Sequence, residues 1–315
     1  MIINLVSEYI PETIVPNEYF KVNFGIYSED IISKSGIRER RICGPGENTN
    51  TMAIQAVRNA LPDMTFPITD IDLIIGGGYT PYDTVGTLAH AVQKEFNINN
   101  ARCFSIDSAC SSFINAIEIC EGYFAINKAQ KALIVISENN SAYNDVADKR
   151  SGFLWGDGAA AIIITKERHT SEDFEVLDVN TTGLGNIGKS IDAVYARPMD
   201  GGLRMPQGRD VFQYACKYML QETEQILQRN LLEINQLSYL IPHQANARIT
   251  DFVVGKLNLN PSQVLTNIEQ LGNTGSASTP IILSQNRGKF KKGELIIISV
   301  FGGGYSSGAV LLKKL

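Results

Sequence analysis

The second half of the chain repeats, in the same order, four segments of the first half. Each pair joins segments of similar character: two apolar strands, two runs of small residues ahead of an apolar helix, two further strands, and two glycine-rich turns that lead into apolar strands. The pairs are DIDLIIGGG (70–78) with LSYLIPHQA (237–245), SACSSFINAIEI (108–119) with NTGSASTPIILS (273–284), KALIVIS (131–137) with ELIIISV (294–300), and WGDGAAAIIITK (155–166) with FGGGYSSGAVLLKK (301–314). Four similarities in one order indicate a duplication. We therefore divide the chain into residues 1–166 and 167–315, which we expect to pack about a pseudo-twofold axis.

Strands and helices alternate along the chain, which predicts an α/β fold. The first half has predicted strands at 70–78, 101–107 and 131–138 and predicted helices at 84–96 and 110–126. Such alternation is typical of parallel strands covered by helices, and the continuous apolar runs suit strands that are buried on both faces. The least regular stretches are 140–152 and 183–208.

Composition and charge exclude several classes of protein. The chain has 315 residues, 44% of them hydrophobic, which is enough for a large buried core. A net charge of −5 gives no sign of a basic surface, so no nucleic-acid partner is expected. No apolar run is long enough to span a membrane, and the N-terminus lacks the basic start of a signal peptide. Five cysteines without a CxxC pair predict neither a disulfide framework nor a metal site, so we expect a cytoplasmic protein.

Cys110 is the first candidate for chemistry. A free cysteine is often only a small core residue, and that interpretation stays open from the local sequence. However, Cys110 follows a predicted strand and begins a predicted helix, where unpaired N–H groups and the helix dipole favour a thiolate. We therefore expect its pKa to be lowered and its sulfur to be nucleophilic. The remaining cysteines lack this placement and are interpreted as structural: Cys43, Cys103, Cys120 and Cys216.

His243 and Asn273 are the candidate partners of this cysteine. Of the three histidines, only His243 follows an apolar strand, directly after Pro242, and ligands of α/β sheets bind at such strand ends. Asn273 opens the second-half segment that corresponds to Cys110, so a pseudo-twofold axis would bring Asn273 and Cys110 to one cavity. Each residue also has a simpler interpretation, since either side chain could merely cap the helix that follows it.

The glycine run FGGGYSSG (301–308) allows three interpretations. It could be a bare turn or a dinucleotide-binding loop, although it lacks the GxGxxG spacing before a helix. It could instead expose backbone N–H groups to a developing oxyanion, because glycine permits close backbone approach.

The motifs together resemble the β-ketoacyl-ACP synthase III group of condensing enzymes, which have the thiolase fold. The resemblance spans essentially the whole chain and rests on the order and spacing of DSACSSF (107–113), IPHQANARI (241–249), GNTGSAST (272–279) and FGGGYSSG (301–308), with SGIRERRI (35–42) and WGDGAAA (155–161). It implies a duplicated, five-layer αβαβα arrangement with pseudo-twofold halves, usually a homodimer.

The resemblance also implies catalytic roles. Cys110 would accept an acyl group from a thioester primer, and His243 and Asn273 would complete a Cys-His-Asn triad. The triad would catalyse decarboxylative Claisen condensation with a malonyl or β-ketoacyl thioester. Backbone N–H groups of Cys110 and Gly303 would form the oxyanion hole. No metal or redox cofactor is required, because the substrates are carried on CoA or on the phosphopantetheine of acyl carrier protein.

The chain departs from the family pattern at the expected substrate-binding positions. The tryptophan that often precedes the TGI motif is absent, and Lys34 stands at the nearby arginine position, so CoA and carrier protein both remain open as primer carriers. Arg248 matches a basic position that meets carrier protein, and Lys256 could extend that patch, although both could be ordinary solvated charges. Val85 stands near the bulky aromatic that closes the acyl pocket in several relatives, which predicts room for a longer primer.

Several functions are compatible with this triad. The condensation could serve fatty acid synthesis or specialised polyketide metabolism, including a ketosynthase/cyclase that forms a resorcinol- or cyclohexanedione-type ring. An acyltransferase to a small nucleophile and a non-enzymatic partner subunit of another ketosynthase are alternatives. The retained Cys110, His243 and Asn273 favour the condensing enzyme over both.

Overall fold

The computed structural model describes residues 1–315 as thirteen strands and ten α-helices. The strands are β1 Ile2–Tyr9, β2 Thr13–Pro16, β3 Glu39–Ile42, β4 Leu73–Gly77, β5 Arg102–Ile106, β6 Lys131–Glu138, β7 Gly158–Thr165, β8 Phe174–Gly183, β9 Tyr195–Arg197, β10 Gly202–Arg204, β11 Tyr239–Pro242, β12 Leu295–Gly302 and β13 Ser306–Lys314. The helices are α1 Asn17–Phe24, α2 Ser28–Ser35, α3 Thr49–Ala60, α4 Leu88–Glu95, α5 Ser112–Ala125, α6 Asn140–Tyr143, α7 Gly208–Arg229, α8 Ala247–Leu257, α9 Ile268–Leu271 and α10 Ser278–Gln285.

Nine of the strands are hydrogen-bonded in the order β5-β4-β6-β7-β1-β8-β13-β12-β11. The first five belong to the first half of the chain and the last four to the second, where an isolated bridge from Leu240 to Val264 continues beyond β11. Reading outward from the centre, β1, β7, β6 and β4 therefore correspond to β8, β13, β12 and β11. Only two residue pairs join β1 to β8, so the strands form two similar sheets that meet at one edge.

Helices lie between the two sheets and outside each of them. The central helices α5 and α10 pack against strands of both halves, whereas α3 and α4 cover the first sheet and α7 and α8 cover the second. Seven of the eight residues of α10 are buried, as expected for a helix enclosed on all sides. The resulting αβαβα order confirms the predicted five-layer, duplicated α/β fold.

The predicted elements differ from the observed ones mainly at their ends. The helix expected over 84–96 begins only at Leu88, because the Asp83 carboxylate accepts hydrogen bonds from the N–H groups of Val85 and Gly86 and holds this stretch as a turn. The two irregular stretches contain the short helix α6 and the hairpin of β9 and β10. None of the helices combines the length and apolar character that a membrane crossing requires.

Candidate active site

Cys110 lies in a tight turn between β5 and α5. The Asp107 carboxylate accepts a hydrogen bond from the Ala109 N–H, and Ala109 adopts a left-handed conformation with φ of +47°. This conformation is uncommon for a residue with a Cβ atom and marks a locally strained turn. The turn places Cys110 two residues ahead of Ser112, where α5 begins, so the predicted elbow is present and its helix starts slightly later than expected.

The glycine turn between β12 and β13 packs directly against Cys110. A side chain at Gly302 would lie 3.0 Å from the Cys110 nitrogen and 3.1 Å from the Ser108 carbonyl oxygen, so only glycine allows this approach. The N–H groups of Gly303 and of Cys110 itself are both directed at the sulfur. This placement is compatible with the third interpretation of the glycine run, because two backbone donors lie at the Cys110 sulfur.

The electrostatic surroundings of Cys110 differ from the expectation. Burial and the nearby Glu138 raise the pKa of Cys110 to about 12, against the opposing effect of the two backbone donors. The prediction of a lowered pKa was thus wrong, because desolvation of the thiolate outweighs the helix N-terminus. The resting sulfur is therefore a thiol.

This raised pKa predicts slow alkylation of Cys110 at neutral pH. The rate constant for iodoacetamide should keep rising with pH beyond pH 9, because the thiolate is the reacting species and remains scarce below the pKa. Peptide mass spectrometry of the alkylated protein, with Cys110→Ala as the control, measures this rate. A rate that levels off below pH 8 would contradict the raised pKa.

His243 follows β11 and is almost completely buried, with an exposed fraction of 2%. The ring Nδ1 lies 2.8 Å from the Ser278 hydroxyl at the start of α10. The backbone N–H of His243 donates to the Ser299 carbonyl at 2.9 Å. Burial lowers the pKa of His243 to about 4, so the imidazole is neutral at physiological pH. The hydrogen bond at Nδ1 leaves Nε2 as the nitrogen available to a substrate.

Asn273 is fixed by both its backbone and its side chain. Its backbone N–H donates to the Leu154 carbonyl at 2.8 Å, and its backbone carbonyl accepts from the Gly156 N–H at 3.0 Å. Its side-chain Oδ1 accepts from the Gly275 N–H at 2.9 Å, at the start of the 3-10 turn Gly275–Ala277 that precedes α10. Asn273 is not the N-cap residue of this turn, which is Thr274, so its bond forms a local Asx turn that leaves the amide Nδ2 to donate elsewhere.

A cavity of about 610 Å³ adjoins Cys110, and we call it the acyl cavity. Its wall includes Tyr79, Cys110, Trp155 and Gly303. Trp155 forms a backbone bridge with Asn273, so the second-half segment lies directly behind this wall. The first-half nucleophile and the second-half Asn273 segment are thus brought to one place, as the duplication predicts.

A second cavity, of about 690 Å³, is separated from the first by the chain at Leu154 and Trp155. We call it the basic cavity because five cationic side chains line it: Lys34, Lys149, Arg150, Arg209 and Arg248. The two predicted basic residues, Lys34 and Arg248, therefore lie together. Lys256 does not line this cavity, because it lies in the last turn of α8 near Phe252. Val85 is 87% exposed and lines neither cavity.

Known proteins resemble this chain along its whole length. Residues 104–183 match the family model described as 3-oxoacyl-[acyl-carrier-protein (ACP)] synthase III, and residues 227–314 match the model of its C-terminal part. The β-ketoacyl-[acyl-carrier-protein] synthase III of Clostridium perfringens is 35% identical over 97% of this chain and 96% of its own length. The crystal structure of the Aquifex aeolicus 3-oxoacyl-[acyl-carrier-protein] synthase III superposes with a TM-score of 0.91 at 32% identity, covering 99% of both chains.

A polyketide enzyme is also similar in structure. The priming β-ketosynthase of the R1128 polyketide biosynthetic pathway has a TM-score of 0.88 at 27% identity and covers 98% of this chain and 96% of its own. Fold and relatives together define a carbon–carbon bond-forming acyltransferase of the thiolase fold. Within that class, the chain belongs to the β-ketoacyl-ACP synthase III family.

Proposed function

We propose that the protein catalyses decarboxylative Claisen condensation of an acyl thioester primer, held on Cys110, with a malonyl or β-ketoacyl thioester. The observation that carries this proposal is the position of the Cys110 thiol and two backbone donors at a cavity whose Trp155 wall is bridged to Asn273. The thiol belongs to the first half, whereas His243 and Asn273 belong to the second. Family membership supports the same reaction.

The first step is acylation of Cys110. The sulfur attacks the primer's thioester carbon, and the N–H groups of Cys110 and Gly303 stabilise the oxyanion of the tetrahedral intermediate. The primer's C–S bond then breaks, and the thiol proton ends on the departing CoA or carrier thiol. No net charge is left in the buried site, which suits the raised pKa of Cys110.

The second step forms the carbon nucleophile. With the Ser278 hydroxyl donating to Nδ1, the neutral imidazole of His243 would donate from Nε2, and the Asn273 amide would be the second donor. Both hydrogen bonds stabilise the negative oxygen that develops on the extender's thioester as its carboxylate leaves as CO₂. The enolate carbon then attacks the Cys110 thioester, a C–C bond forms, the C–S bond breaks, and the sulfur recovers a proton from solvent.

Carrier recognition is the proposed role of the basic cavity. Its cationic side chains suit a phosphopantetheine phosphate and an acidic carrier surface. We expect Arg248→Glu to raise KM for malonyl carrier protein by about tenfold, roughly 1.4 kcal/mol, with kcat little changed. Added salt should reduce the difference in KM between Arg248→Glu and wild type, because it screens exposed charges.

Steady-state kinetics at low and high ionic strength measure the effect of Arg248→Glu. The matched control is Lys291→Glu, an exposed charge near the opposite end of β12 from Gly302. Equal effects of the two reversals on KM would argue for non-specific electrostatics and against a docking role for Arg248.

A homodimer is part of the proposal. Strand β5 pairs with β4 on one side only, so a second copy could add its own β5 to the free edge. The family resemblance implies that the partner's 82–86 turn would lie towards the acyl cavity, with the exposed Val85 in place of a bulky residue. We expect analytical sedimentation to show a dimer. We also expect primer-competition assays to show that the enzyme uses acyl chains longer than acetyl. Acceptance of acetyl-sized primers alone would contradict the Val85 prediction.

The choice between fatty acid initiation and a specialised polyketide pathway depends on the substrates. A panel of acyl-CoA and acyl-carrier primers, offered with malonyl carrier protein, separates them by the mass of the products. Straight-chain short primers with one extension support fatty acid initiation, and an unusual primer or a cyclised product supports the specialised role.

A further inference from the structure

Glu138 is a buried carboxyl group beside the nucleophile that the steps above do not use. It is the last residue of β6 and has an exposed fraction of 0%. It makes no ion pair, although buried acidic side chains are normally paired with a cation. A buried, unpaired carboxyl group next to Cys110 is costly and calls for a physical reason.

The hydrogen bonds of Glu138 join the two halves of the protein. The Thr80 hydroxyl donates to Oε2, and the Tyr79 N–H lies 3.3 Å from both oxygens, so one side of the carboxyl holds the segment after β4. The Ser276 hydroxyl donates to Oε1, and the Ser276 N–H lies 3.4 Å from the same oxygen. The other side of the carboxyl therefore holds the turn that follows Asn273.

Gly275 connects this carboxyl to the Asn273 side chain. Its φ is +58°, and a Cβ there would lie 3.0 Å from Glu138 Cγ and 2.5 Å from the Tyr79 hydroxyl oxygen. Glu138 and Tyr79 thus fill the space beside Gly275, whose N–H donates to Asn273 Oδ1. Any movement of Glu138 would shift the residue that orients the Asn273 amide.

We propose that Glu138 is a positioning residue for the condensation: it fixes the 275–276 turn and, through Gly275, directs the Asn273 amide at the extender's thioester oxygen. This inference rests on the proposed function, in which Asn273 donates to that oxygen. Glu138 itself does not touch the reacting atoms. A misplacement of about 1 Å in such a donor can cost about 10²-fold in rate.

The protonation of Glu138 gives this role a pH dependence. Burial raises the pKa of Glu138 to about 8, although the hydrogen bonds from Ser276, Thr80 and Tyr79 act in the opposite direction. The ionisable groups around it are Asp107 and Cys110 of the β5–α5 turn, Tyr79 after β4 and Tyr143 of α6. At pH 7 the group is mostly neutral, and above pH 8 it adds a negative charge beside an enolate that is also negative.

The test compares Glu138→Ala and Glu138→Gln with wild type from pH 6 to pH 9.5. Two half-reactions are followed separately: decarboxylation of malonyl carrier protein and acylation of Cys110 by mass spectrometry. Glu138→Ala should lower decarboxylation by about 10²-fold at pH 7, while the extent of acylation is maintained. Glu138→Gln resembles the protonated acid, so its decarboxylation rate should stay within a few fold of the wild-type rate at pH 7. It should not show the decline in decarboxylation that we expect for the wild type above pH 8.

Two further variants keep the test decisive. Ser276→Ala removes only the hydroxyl bond to Glu138 on the Asn273 side, so it should lower decarboxylation without lowering acylation. This variant tests the role of Glu138 even if Glu138→Ala fails to fold. Glu222→Gln alters another buried carboxylate, held by Ser307 and Asn180 in the outer layer, and should leave both half-reactions unchanged.

Three outcomes would overturn the positioning role. They are unchanged decarboxylation in Glu138→Ala and Ser276→Ala, an equal loss of both half-reactions, or a Glu138→Gln pH profile that matches wild type. A wild-type protein that performs neither half-reaction would instead overturn the proposed function, so the two failures are distinguishable.

Discussion

Asn273→Ala should lower the decarboxylation of malonyl carrier protein by about 10²–10³-fold while Cys110 is still acylated by the primer. The variant loses the amide that donates to the developing enolate oxygen, and the alanine side chain has no donor to replace it. His243→Ala should have an effect of the same size. Release of ¹⁴CO₂ from labelled malonyl carrier protein measures this half-reaction.

Ser278→Ala is the control for the histidine. It removes the hydrogen bond to Nδ1 but leaves the imidazole in place. The loss of decarboxylation rate should therefore be clearly smaller in Ser278→Ala than in His243→Ala. If Asn273→Ala and His243→Ala decarboxylate the extender at the wild-type rate, the proposed role of the pair is wrong. If both instead abolish acylation of Cys110, they act in the first step.

Cys110→Ala should abolish condensation and retain decarboxylation, the reverse of the pattern for Asn273→Ala. Without the sulfur there is no covalent acyl acceptor, whereas the donors at His243 and Asn273 are untouched. Product formation from primer and extender should fall below detection, and CO₂ release should persist with the extender protonated to an acetyl thioester.

Cys103→Ser is the matched thiol control, because Cys103 lies in β5 on the other side of the turn and outside the acyl cavity. It should condense at the wild-type rate. Condensation by Cys110→Ala, or loss of condensation in Cys103→Ser, would move the nucleophile to another residue.

The proposed catalytic residues could be selected from the sequence because they lie at the ends of elements with strong local signals. Pro242 ends an apolar strand before His243, and small residues mark the turns at Cys110 and Gly303. The repeat then relates the two halves, so the convergence of Cys110 and the Asn273 segment follows without any structure. The five-layer order of sheets and helices was implied by the family resemblance, and the repeat agrees with it.

The electrostatics of the site could not be predicted in the same way. The sign of the Cys110 pKa depends on how deeply the thiol is buried and on Glu138, which is 28 residues away in sequence at the end of another strand. Local position at a helix start is visible in a sequence, whereas desolvation is not. Glu138 ends an apolar strand in the motif KALIVISE, so a charged residue closing a buried run was its only signal.

The substrate-binding residues show the same limit. Lys34 and Arg248 were predicted from motif positions, and the structure adds Lys149 and Arg150 from a turn without periodic pattern and Arg209 from the first turn of α7. Their convergence depends on how the 140–152 and 183–208 stretches fold over the core, which no local signal encodes. Lys256 was expected to extend the patch at Arg248, but the two residues occupy opposite ends of α8.

The most direct measurement is the intact mass of the protein after incubation with a panel of acyl-CoA and acyl-carrier thioesters, followed by peptide mapping. We expect one acyl adduct per chain, located on the peptide that contains Cys110. Malonyl carrier protein should discharge this adduct, and Cys110→Ala should not form it. No adduct with any primer, or an adduct that persists in Cys110→Ala, would contradict this prediction.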